Sequence, residues 1–350
     1  MILFDVTKTR PTRHRSGLTR VGGRLRECLG AAATEVVWDE GLRRVSDGNP
    51  VARRAGDWFL TAELFSEAER PGFSAFLADR HCRTAAIFHD AIPLKLPHIT
   101  WPQSVARHPG YMKLLASFDR VWAVSVASRE ELLGFWRWQG LARVPPVEVL
   151  TLGADFNGEP RARLSELAPS TPSSGAPRLL CLGIVEPRKN QSFLLDVCGE
   201  LWAEGREFTL EVVGRVNPHF GAPIAARLKQ LARTRPVHFH EAASDAAVAK
   251  LYRAARATAL PTMAEGCGLP LLESLWRGVP CVCSDLPSLR ENAAGGGCLV
   301  VTCNDRPAWK SALHAVITDD ALHAKLACEA TSRPLPTWAE AAQTLATALG

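Results

Sequence analysis

Short apolar segments alternate with helical patterns along the whole chain, and this alternation restricts the fold more than any other feature. The first half offers MILFDV, TEVVW, DWFLTA, RTAAIFH, RVWAVS and VEVLTLG as strands, and the second half offers RLLCLGIV, FTLEVVG, VHFH, ATAL, VPCVC and CLVV. The residues between them favour helices. Strands that alternate with helices form parallel sheets through right-handed crossovers. The sequence therefore predicts an α/β protein with doubly wound, Rossmann-like sheets.

A stretch rich in Pro, Ser, Ala and Gly separates the two series of strands at residues 158–178. Such composition is typical of a domain boundary. We predict an N-terminal domain at 1–165, a linker at 166–177 and a C-terminal domain at 178–330, with the two domains facing each other across a cleft.

The last residues, 331–350, are predicted to form a C-terminal helix that starts after Pro336 with Thr337 as its cap. We expect this helix to pack outside the second sheet, with the first domain as an alternative neighbour.

Composition excludes several classes of protein. The chain has 350 residues, of which 47% are hydrophobic, but it contains no run of eighteen apolar residues and no secretory leader pattern at its start. Its 10 cysteines are scattered and mostly lie in apolar segments, which favours reduced, packed thiols. Without a Cys-x-x-Cys pair or a His/Cys cluster at zinc spacing, we expect a cytoplasmic protein with no metal site.

Positive charge is concentrated at the start of the chain. The net charge of +5 is too small to predict nucleic-acid binding. Residues 1–26, however, carry one acidic residue, Asp5, against a set of basic ones: Lys8, Arg10, Arg13, Arg15, Arg20, Arg24 and Arg26. This basic arm is either an ordinary solvated surface or a patch for a phosphate-bearing ligand or an anionic membrane.

Two turns between strands and helices carry the most informative residues, because open α/β sheets bind ligands beyond the carboxyl ends of their strands. The first turn, EPRKN, places Arg188 and Lys189 before Asn190, which is a favourable N-cap for the next helix. Two cations beside a helix N-terminus can hold a diphosphate. The alternative is a solvated turn without a ligand.

The second turn is rich in glycine. Glu265, Gly266, Cys267 and Gly268 precede Pro270, which we place at the first helical position, and Glu273 follows in the first turn. Glycine backbone can approach a ligand closely, and carboxylates accept hydrogen bonds from hydroxyl groups. The alternatives are an exposed loop carboxylate for Glu265 and a helix-dipole contact for Glu273.

The segments EPRKN and EGCGLPLLESLWRGVPCVCSD together closely resemble the paired signature of retaining glycosyltransferases with the GT-B fold, in particular bacterial mannosyltransferases. The segments VWAVSVASREEL, VLTLGAD and SDAAVAKLYRAARATALPTMAEGCGLP also look like parts of that family, in the same order. The resemblance implies that Arg188 and Lys189 bind the donor diphosphate and stabilise the leaving nucleotide. It implies that Glu265 and the amides of 266–269 (Gly266, Cys267, Gly268 and Leu269) hold the transferred sugar, and that Glu273 accepts from the ribose hydroxyls.

The resemblance extends to the first domain. IFHDAIP looks like the family's histidine-containing turn, so His89 is expected to face the sugar and Asp90 to orient the site. A packed histidine at a strand end is the alternative for His89. SGLTRV resembles the glycine loop near the diphosphate, which implies a close approach at Gly17 and a phosphate or acceptor contact for Arg20.

The sequence departs from the family pattern at Cys267, where an aromatic residue is usual, and in the single glycine before Arg20. It lacks an Asp-x-Asp motif, which agrees with a metal-independent enzyme that stabilises its leaving group with cations and helix ends. The resemblance implies transfer with retention of configuration, and we favour front-face displacement because no carboxylate stands out as a nucleophile.

The expected co-substrate is a nucleotide sugar, with GDP-mannose first and a UDP-hexose second, and no other cofactor is expected. The expected acceptor is a glycan or a lipid-diphosphate-linked oligosaccharide of cell-surface polysaccharide synthesis. The basic arm and Arg43, Arg44, Arg53 and Arg54 suit a peripheral protein at the inner membrane surface.

Two other functions are alternatives to a transferase. An NAD-dependent oxidoreductase would have a Gly-x-Gly-x-x-Gly turn opening a helix, whereas the glycines at 295–297 precede a strand. A catalytically inactive sugar-nucleotide-binding subunit stays open as an alternative.

Overall fold

The structure is a computed structural model that describes residues 1–11, 16–163 and 175–350. The chain divides into two compact units, one of Met1–Gly153 with Pro336–Gly350 and one of Ala154–Leu335. Most of the predicted linker at 166–177 lies outside the described residues.

The first unit is built on a seven-stranded sheet of order β3-β2-β1-β4-β5-β6-β7. Its strands are β1 (Ile2–Asp5), β2 (Ala33–Trp38), β3 (Leu42–Arg44), β4 (Trp58–Thr61), β5 (Arg83–Phe88), β6 (Arg120–Ala123) and β7 (Val147–Val149). Its first helices are α1 (Gly17–Leu29), α2 (Phe73–Asp79), α3 (Ile92–Lys95), α4 (Pro102–Leu115) and α5 (Val126–Trp138). The strands pair in parallel except β3, which runs antiparallel to β2 and was not predicted.

The second unit has a six-stranded parallel sheet of order β10-β9-β8-β11-β12-β13. Its strands are β8 (Arg178–Leu182), β9 (Thr209–Val213), β10 (Val237–His240), β11 (Ala257–Leu260), β12 (Cys281–Ser284) and β13 (Cys298–Val301). Its helices are α6 (Gln191–Ala203), α7 (Ala222–Leu231), α8 (Asp245–Ala254), α9 (Leu269–Trp276), α10 (Pro287–Ala293), α11 (Arg306–Thr318) and α12 (Asp320–Ser332). Strands β11 and β12 are buried at every position, as expected of parallel strands covered on both faces. The predicted α/β class with two doubly wound sheets is confirmed.

The last helix, α13 (Trp338–Leu349), belongs to the first unit and packs against α1. It starts where the sequence predicted, because Thr337 Oγ1 accepts from Glu340 N at 3.2 Å and Glu340 Oε2 accepts from Thr337 N at 2.7 Å. A Cβ atom at Gly153 would lie 2.3 Å from the backbone nitrogen of Trp338, so glycine is required for this docking. Of the two predicted neighbours, the first unit is therefore the observed one, and the expected packing outside the second sheet is wrong.

A buried ion cluster stabilises the turn that follows β1. The guanidinium of Arg70 is 1% exposed, lies 2.7 Å from Asp5 Oδ2, and also pairs with Glu63. Glu63 accepts the backbone amides of Lys8 and Thr9 at 2.8 Å each. Burial and the neighbouring Asp5 raise the pKa of Glu63 above its usual 4.5, whereas the charge of Arg70 acts in the opposite direction and lowers it.

Candidate functional site

The turn between β8 and α6 contains the two cations predicted from EPRKN, in a single 3-10 turn at Pro187–Lys189. Asn190 follows at φ 59°, and its side chain does not cap α6. Instead, Asn190 Nδ2 donates to the carbonyl of Pro261 at 3.1 Å and to Oδ1 of Asn304 at 2.8 Å. Asn190 therefore occupies the predicted N-cap position of α6, but its side chain makes no capping hydrogen bond because it joins the turns that follow β8, β11 and β13.

Both cationic side chains are engaged with carboxylates. Arg188 Nη2 lies 2.7 Å from Oε1 of Glu186, and its Nη1 donates to the carbonyl of Ala264 at 2.8 Å. Lys189 Nζ lies 2.5 Å from Oε1 of Glu265, and Arg188 Nη1 lies 3.5 Å from the other oxygen of that carboxylate. The second unit thus brings Arg188, Lys189 and Glu265 into one network. Glu186 is a member that sequence reasoning missed.

This network is shielded from water. Lys189 is 9% exposed, and the side chain of Glu265 is also 9% exposed. Burial alone would raise the pKa of Glu265, but the charges of Lys189 and Arg188 outweigh burial and hold the pKa below its usual 4.5. Glu265 is accordingly an ionised carboxylate at neutral pH.

Two glycines make room for the stem of Lys189 beside the ends of β8 and β9. A Cβ atom at Gly183 would lie 3.3 Å from Lys189 Cε. A Cβ atom at Gly214 would lie 1.8 Å from the carbonyl oxygen of Gly183, which no side chain allows. The close approach of the two strand ends therefore requires glycine at position 214, whereas Gly183 leaves room for the stem of Lys189.

The glycine-rich loop before α9 is held by α10. Ser288 Oγ donates to the carbonyl of Glu265 at 2.8 Å, and Asn292 Nδ2 donates to the carbonyl of Cys267 at 2.7 Å. Gly268 has φ 85°, and a Cβ atom there would lie 2.3 Å from Leu289 Cδ2. Sequence reasoning missed Ser288 and Asn292, although their spacing of one helical turn could have indicated a shared face.

Glu273 lies one residue further into α9 than predicted. The helix starts at Leu269, so Pro270 is its second residue and Glu273 its fifth, in the second turn. Glu273 is 4% exposed, and its Oε2 accepts from the hydroxyl of Tyr252 at 3.3 Å. A simple contact with the helix dipole does not account for this buried position.

The thiol of Cys267 is buried inside the same loop. Cys267 is 9% exposed, and burial raises its pKa to about 12. Its sulfur lies 3.7 Å from Asn292 Nδ2. At neutral pH this side chain is a neutral thiol that fills space and has no nucleophilic character.

The first unit positions His89 and Asp90 directly after β5. His89 is 7% exposed, its Nε2 lies 2.8 Å from the carbonyl of Ala62, and burial lowers its pKa below 6.5. Asp90 Oδ1 accepts from the backbone nitrogen of Ile92 at 3.0 Å, and its carbonyl pairs with Nε2 of His108 at 2.9 Å. His89 is thus a neutral imidazole fixed at a strand end, and Asp90 supports the start of α3.

Gly17 is the first residue of α1, and the side chain of Ser16 caps this helix by accepting from Thr19 N at 3.2 Å. A Cβ atom at Gly17 would meet no atom within 4 Å, so the protein itself does not require glycine there. Arg20 lies in the first turn, where its backbone nitrogen donates to Ser16 O at 3.0 Å.

Many basic residues predicted to form a surface patch have acidic partners. Residues 12–15 of the basic arm lie outside the described part of the chain. Among the described residues, the pairs are Lys8–Glu69, Arg24–Glu27, Arg26–Glu35, Arg43–Asp39, Arg44–Asp47 and Arg53–Asp79. The positive field of this surface is therefore weaker than the number of its basic residues suggests.

Over the ranges that the structure describes, no group of three or more His, Cys, Asp or Glu side chains is arranged to hold a metal ion. None of the helices in those ranges has both the length and the apolar character needed to cross a bilayer.

Residues 176–319 match the family model described as glycosyl transferases group 1. The serotype-specific mannosyltransferase WbdA of Escherichia coli is 27% identical over 249 residues, which are 67% of this chain and 29% of that protein. The chain thus spans under a third of the length of this curated relative.

Solved structures resemble the chain over almost its full length. Sucrose-phosphate synthase from Thermosynechococcus elongatus superposes with a TM-score of 0.74 at 16% identity, covering 99% of this chain and 97% of that one. HepE from Anabaena, in complex with UDP and glucose, gives a TM-score of 0.72 at 17% identity, covering 99% of this chain and 98% of that one. The two α/β units have the GT-B fold, and residues 176–319 of the second unit resemble the glycosyl transferases of group 1.

Proposed function

We propose that this chain is a retaining, metal-independent hexosyltransferase that uses a nucleotide sugar. One observation supports the proposal most directly. In the second unit, a buried network at the carboxyl end of the sheet contains Arg188, Lys189 and Glu265. This network lies within the segment that matches the glycosyl transferases. Parallel sheets bind ligands at that edge.

In this proposal, Arg188 and Lys189 bind the donor diphosphate beside the N-terminus of α6, which adds a partial positive charge. Glu265 and the amides of residues 266–269 hold the sugar, and Glu273 accepts from the ribose hydroxyls. Glu265 already fixes the ammonium of Lys189, so this cation is preorganised beside the leaving phosphate. A preorganised cation stabilises the transition state most when it lies where negative charge develops.

The reaction breaks the bond between the anomeric carbon and the phosphate oxygen and forms a bond from that carbon to the acceptor oxygen. We assign the acceptor proton to the departing phosphate, so that attack and departure share one face and configuration is retained. His89 faces the sugar, Asp90 orients that side of the site, and Gly17 allows close approach of the diphosphate.

Mannose from GDP-mannose is the donor we favour, because the name of the relative WbdA describes a mannosyltransferase. A UDP-hexose is the alternative, supported by HepE, whose structure contains UDP and glucose. The proposed acceptor is a glycan or lipid-linked oligosaccharide of cell-surface polysaccharide synthesis.

Peripheral association with the inner face of the cytoplasmic membrane completes the proposal. It rests on the basic arm, and cosedimentation with anionic vesicles at low salt tests it. If the protein stays in the supernatant, this part of the proposal is wrong.

The central experiment measures nucleotide release from GDP-mannose and from UDP-glucose by the wild type and by Lys189→Met. Lys250→Met is the control, because Lys250 is an exposed residue of α8. Release that depends on Lys189 supports a transferase and identifies its nucleotide. Binding without release under any acceptor favours the inactive sugar-nucleotide-binding subunit, and the absence of binding to either nucleotide would contradict the proposal.

A further inference from the structure

The guanidinium of Arg277, directly after α9, lies over two aromatic rings. It lies 4.9 Å from the ring centroid of Phe156 and 4.6 Å from that of Tyr252. The side chain of Arg277 is only 8% exposed. A planar cation stacked on two rings has little freedom to rotate, so Arg277 and the ring of Tyr252 hold each other in place.

Arg277 also makes directed hydrogen bonds. Its Nη1 donates to the backbone carbonyl of Glu273 at 3.2 Å, and its Nη2 lies 2.8 Å from Oε2 of Glu159. The hydroxyl of Tyr252, whose ring Arg277 covers, lies 3.3 Å from Oε2 of Glu273 and 3.4 Å from the carbonyl of Pro270, and its single proton can be donated to either acceptor. Arg277 therefore reaches Glu273 along two routes, through the backbone of α9 and through Tyr252.

Residues 154–163, which we call the crossover segment, are the first residues of the second unit and are bound to the same helix. The carbonyl of Glu159 accepts from Trp276 Nε1 at 2.9 Å, and the backbone nitrogen of Ala162 donates to Trp276 O at 3.1 Å. Phe156 is 3% exposed and packs in the core beside Tyr252. These contacts hold the backbone of Glu159 against α9, and its carboxylate pairs with Arg277.

We infer that Arg277 is a positioning residue that holds the carboxylate of Glu273 in its binding geometry, with Tyr252 as the direct contact and Glu159 as the group that orients Arg277. The inference rests on the proposed function, in which Glu273 accepts from the donor ribose. The two hydroxyls of a ribose diol can both donate to one carboxylate only when that carboxylate has the right orientation. A buried carboxylate keeps a single orientation only when its neighbours are fixed. Lysine would retain the charge of Arg277 but not the stacked plane.

The test measures the affinity of GDP and UDP by calorimetry for the wild type, Glu273→Gln, Arg277→Met and the double variant. We expect Arg277→Met to weaken the binding of the preferred nucleotide about tenfold. This factor corresponds to the loss of one hydrogen bond to a charged group. In the Glu273→Gln background the same substitution should have no further effect, because the carboxylate it positions is gone. In the Lys189→Met background its effect should persist in full, since Lys189 acts on the phosphates.

Steady-state kinetics give a readout that a general loss of structure would not produce. Arg277→Met should raise the donor KM with little change in kcat, and Arg277→Lys should recover part of the loss. If Arg277→Met does not fold, Tyr252→Phe replaces it, because this variant removes one oxygen atom and keeps the stacked ring.

The outcomes separate this inference from the function on which it rests. If the wild type binds neither nucleotide, both are overturned. If the wild type binds and Glu273→Gln binds equally well, the ribose role of Glu273 is wrong, and the inference fails with it. If Glu273→Gln weakens binding while Arg277→Met binds like the wild type, or if the two effects simply add, the inference alone is overturned.

Discussion

The ammonium of Lys189 and the carboxylate of Glu265 form a direct ion pair, with Nζ 2.5 Å from Oε1, in the nearly buried centre of the candidate site. The two residues lie on different turns, after β8 and after β11, so the fold itself brings them together. A buried pair of this kind is sensitive to the loss of either partner, because the remaining charge is left without compensation.

Glu265→Gln should therefore lower the free energy of unfolding by about 3 kcal/mol at pH 7. The pKa of Glu265 is held below 4.5 in the folded protein, so its stabilisation is present above the unfolded value and is lost as the pH falls through the folded value. Urea unfolding at neutral pH and below pH 4 should show the difference from the wild type shrinking in acid.

The matched control is Glu241→Gln, whose carboxylate lies 3.5 Å from the exposed ammonium of Lys229. This exposed pair should contribute at most about 1 kcal/mol. Equal losses for the two variants would show that the pair of Lys189 and Glu265 is not a special buried interaction.

Gly268→Ala should disturb the loop that carries the proposed sugar-binding amides. Alanine in the left-handed region costs about 1–2 kcal/mol, and its Cβ would also lie 2.3 Å from Cδ2 of the buried Leu289. We expect a lower melting temperature and weaker binding of the donor. Gly199→Ala, on a helix where a Cβ meets nothing within 4 Å, is the control and should be neutral or slightly stabilising. A Gly268→Ala protein with unchanged melting temperature would contradict the strain inferred here.

Asn292→Ala removes the donor that holds the carbonyl of Cys267 at 2.7 Å. This hydrogen bond and the one from Ser288 hold the glycine-rich loop against α10. We therefore expect the unfolding free energy to fall by about 1–2 kcal/mol. Hydrogen exchange at the amides of residues 266–269 should accelerate in the variant. If those amides exchange at the wild-type rate, Asn292 does not order the loop.

The sheets could be predicted from the sequence because parallel strands covered on both faces are continuous apolar runs. Strand β3, with the sequence LRR, gives no such signal, and only its antiparallel pairing with β2 defines it. The capping box at Thr337 was predictable because both partners lie within one helical turn.

The contacts of Asn190 were not predictable, because its partners Pro261 and Asn304 lie 71 and 114 residues away in the chain. For the same reason the sequence placed Arg188 and Lys189 in one turn but did not reveal that both contact Glu265, which lies 76 residues from Lys189. Local sequence determined which residues carry charge, whereas the tertiary fold determined their partners.

Arg70→Leu should strongly destabilise the first unit, because it leaves Asp5 and Glu63 buried without a cation. The expected loss is about 3–5 kcal/mol at pH 7. The pKa of Glu63 is already raised in the wild type and should rise further in the variant, so the folded variant gains stability as this group becomes protonated in acid. The deficit measured by urea unfolding should therefore be larger at pH 7 than at pH 4, and the same deficit at both pH values would contradict this account. Arg53→Leu, which breaks an ion pair with the partly exposed Asp79, should cost at most about 1 kcal/mol.

His89→Gln should remove a pH dependence of stability that comes from the buried imidazole. Burial lowers the pKa of His89 below 6.5, so the unfolded chain takes up a proton more readily than the folded one. The wild type should accordingly lose stability as the pH falls through 6.5 towards the lower folded value, by up to about 1.4 kcal/mol for each pH unit. Glutamine can still donate to the carbonyl of Ala62 but does not titrate, so the unfolding free energy of the variant should depend less on pH between 7.5 and 5.5. His98→Gln, at an exposed position, is the control and should follow the wild type. A His89→Gln variant with the full pH dependence of the wild type would show that the imidazole takes up protons in the folded state, against its buried position at the end of β5.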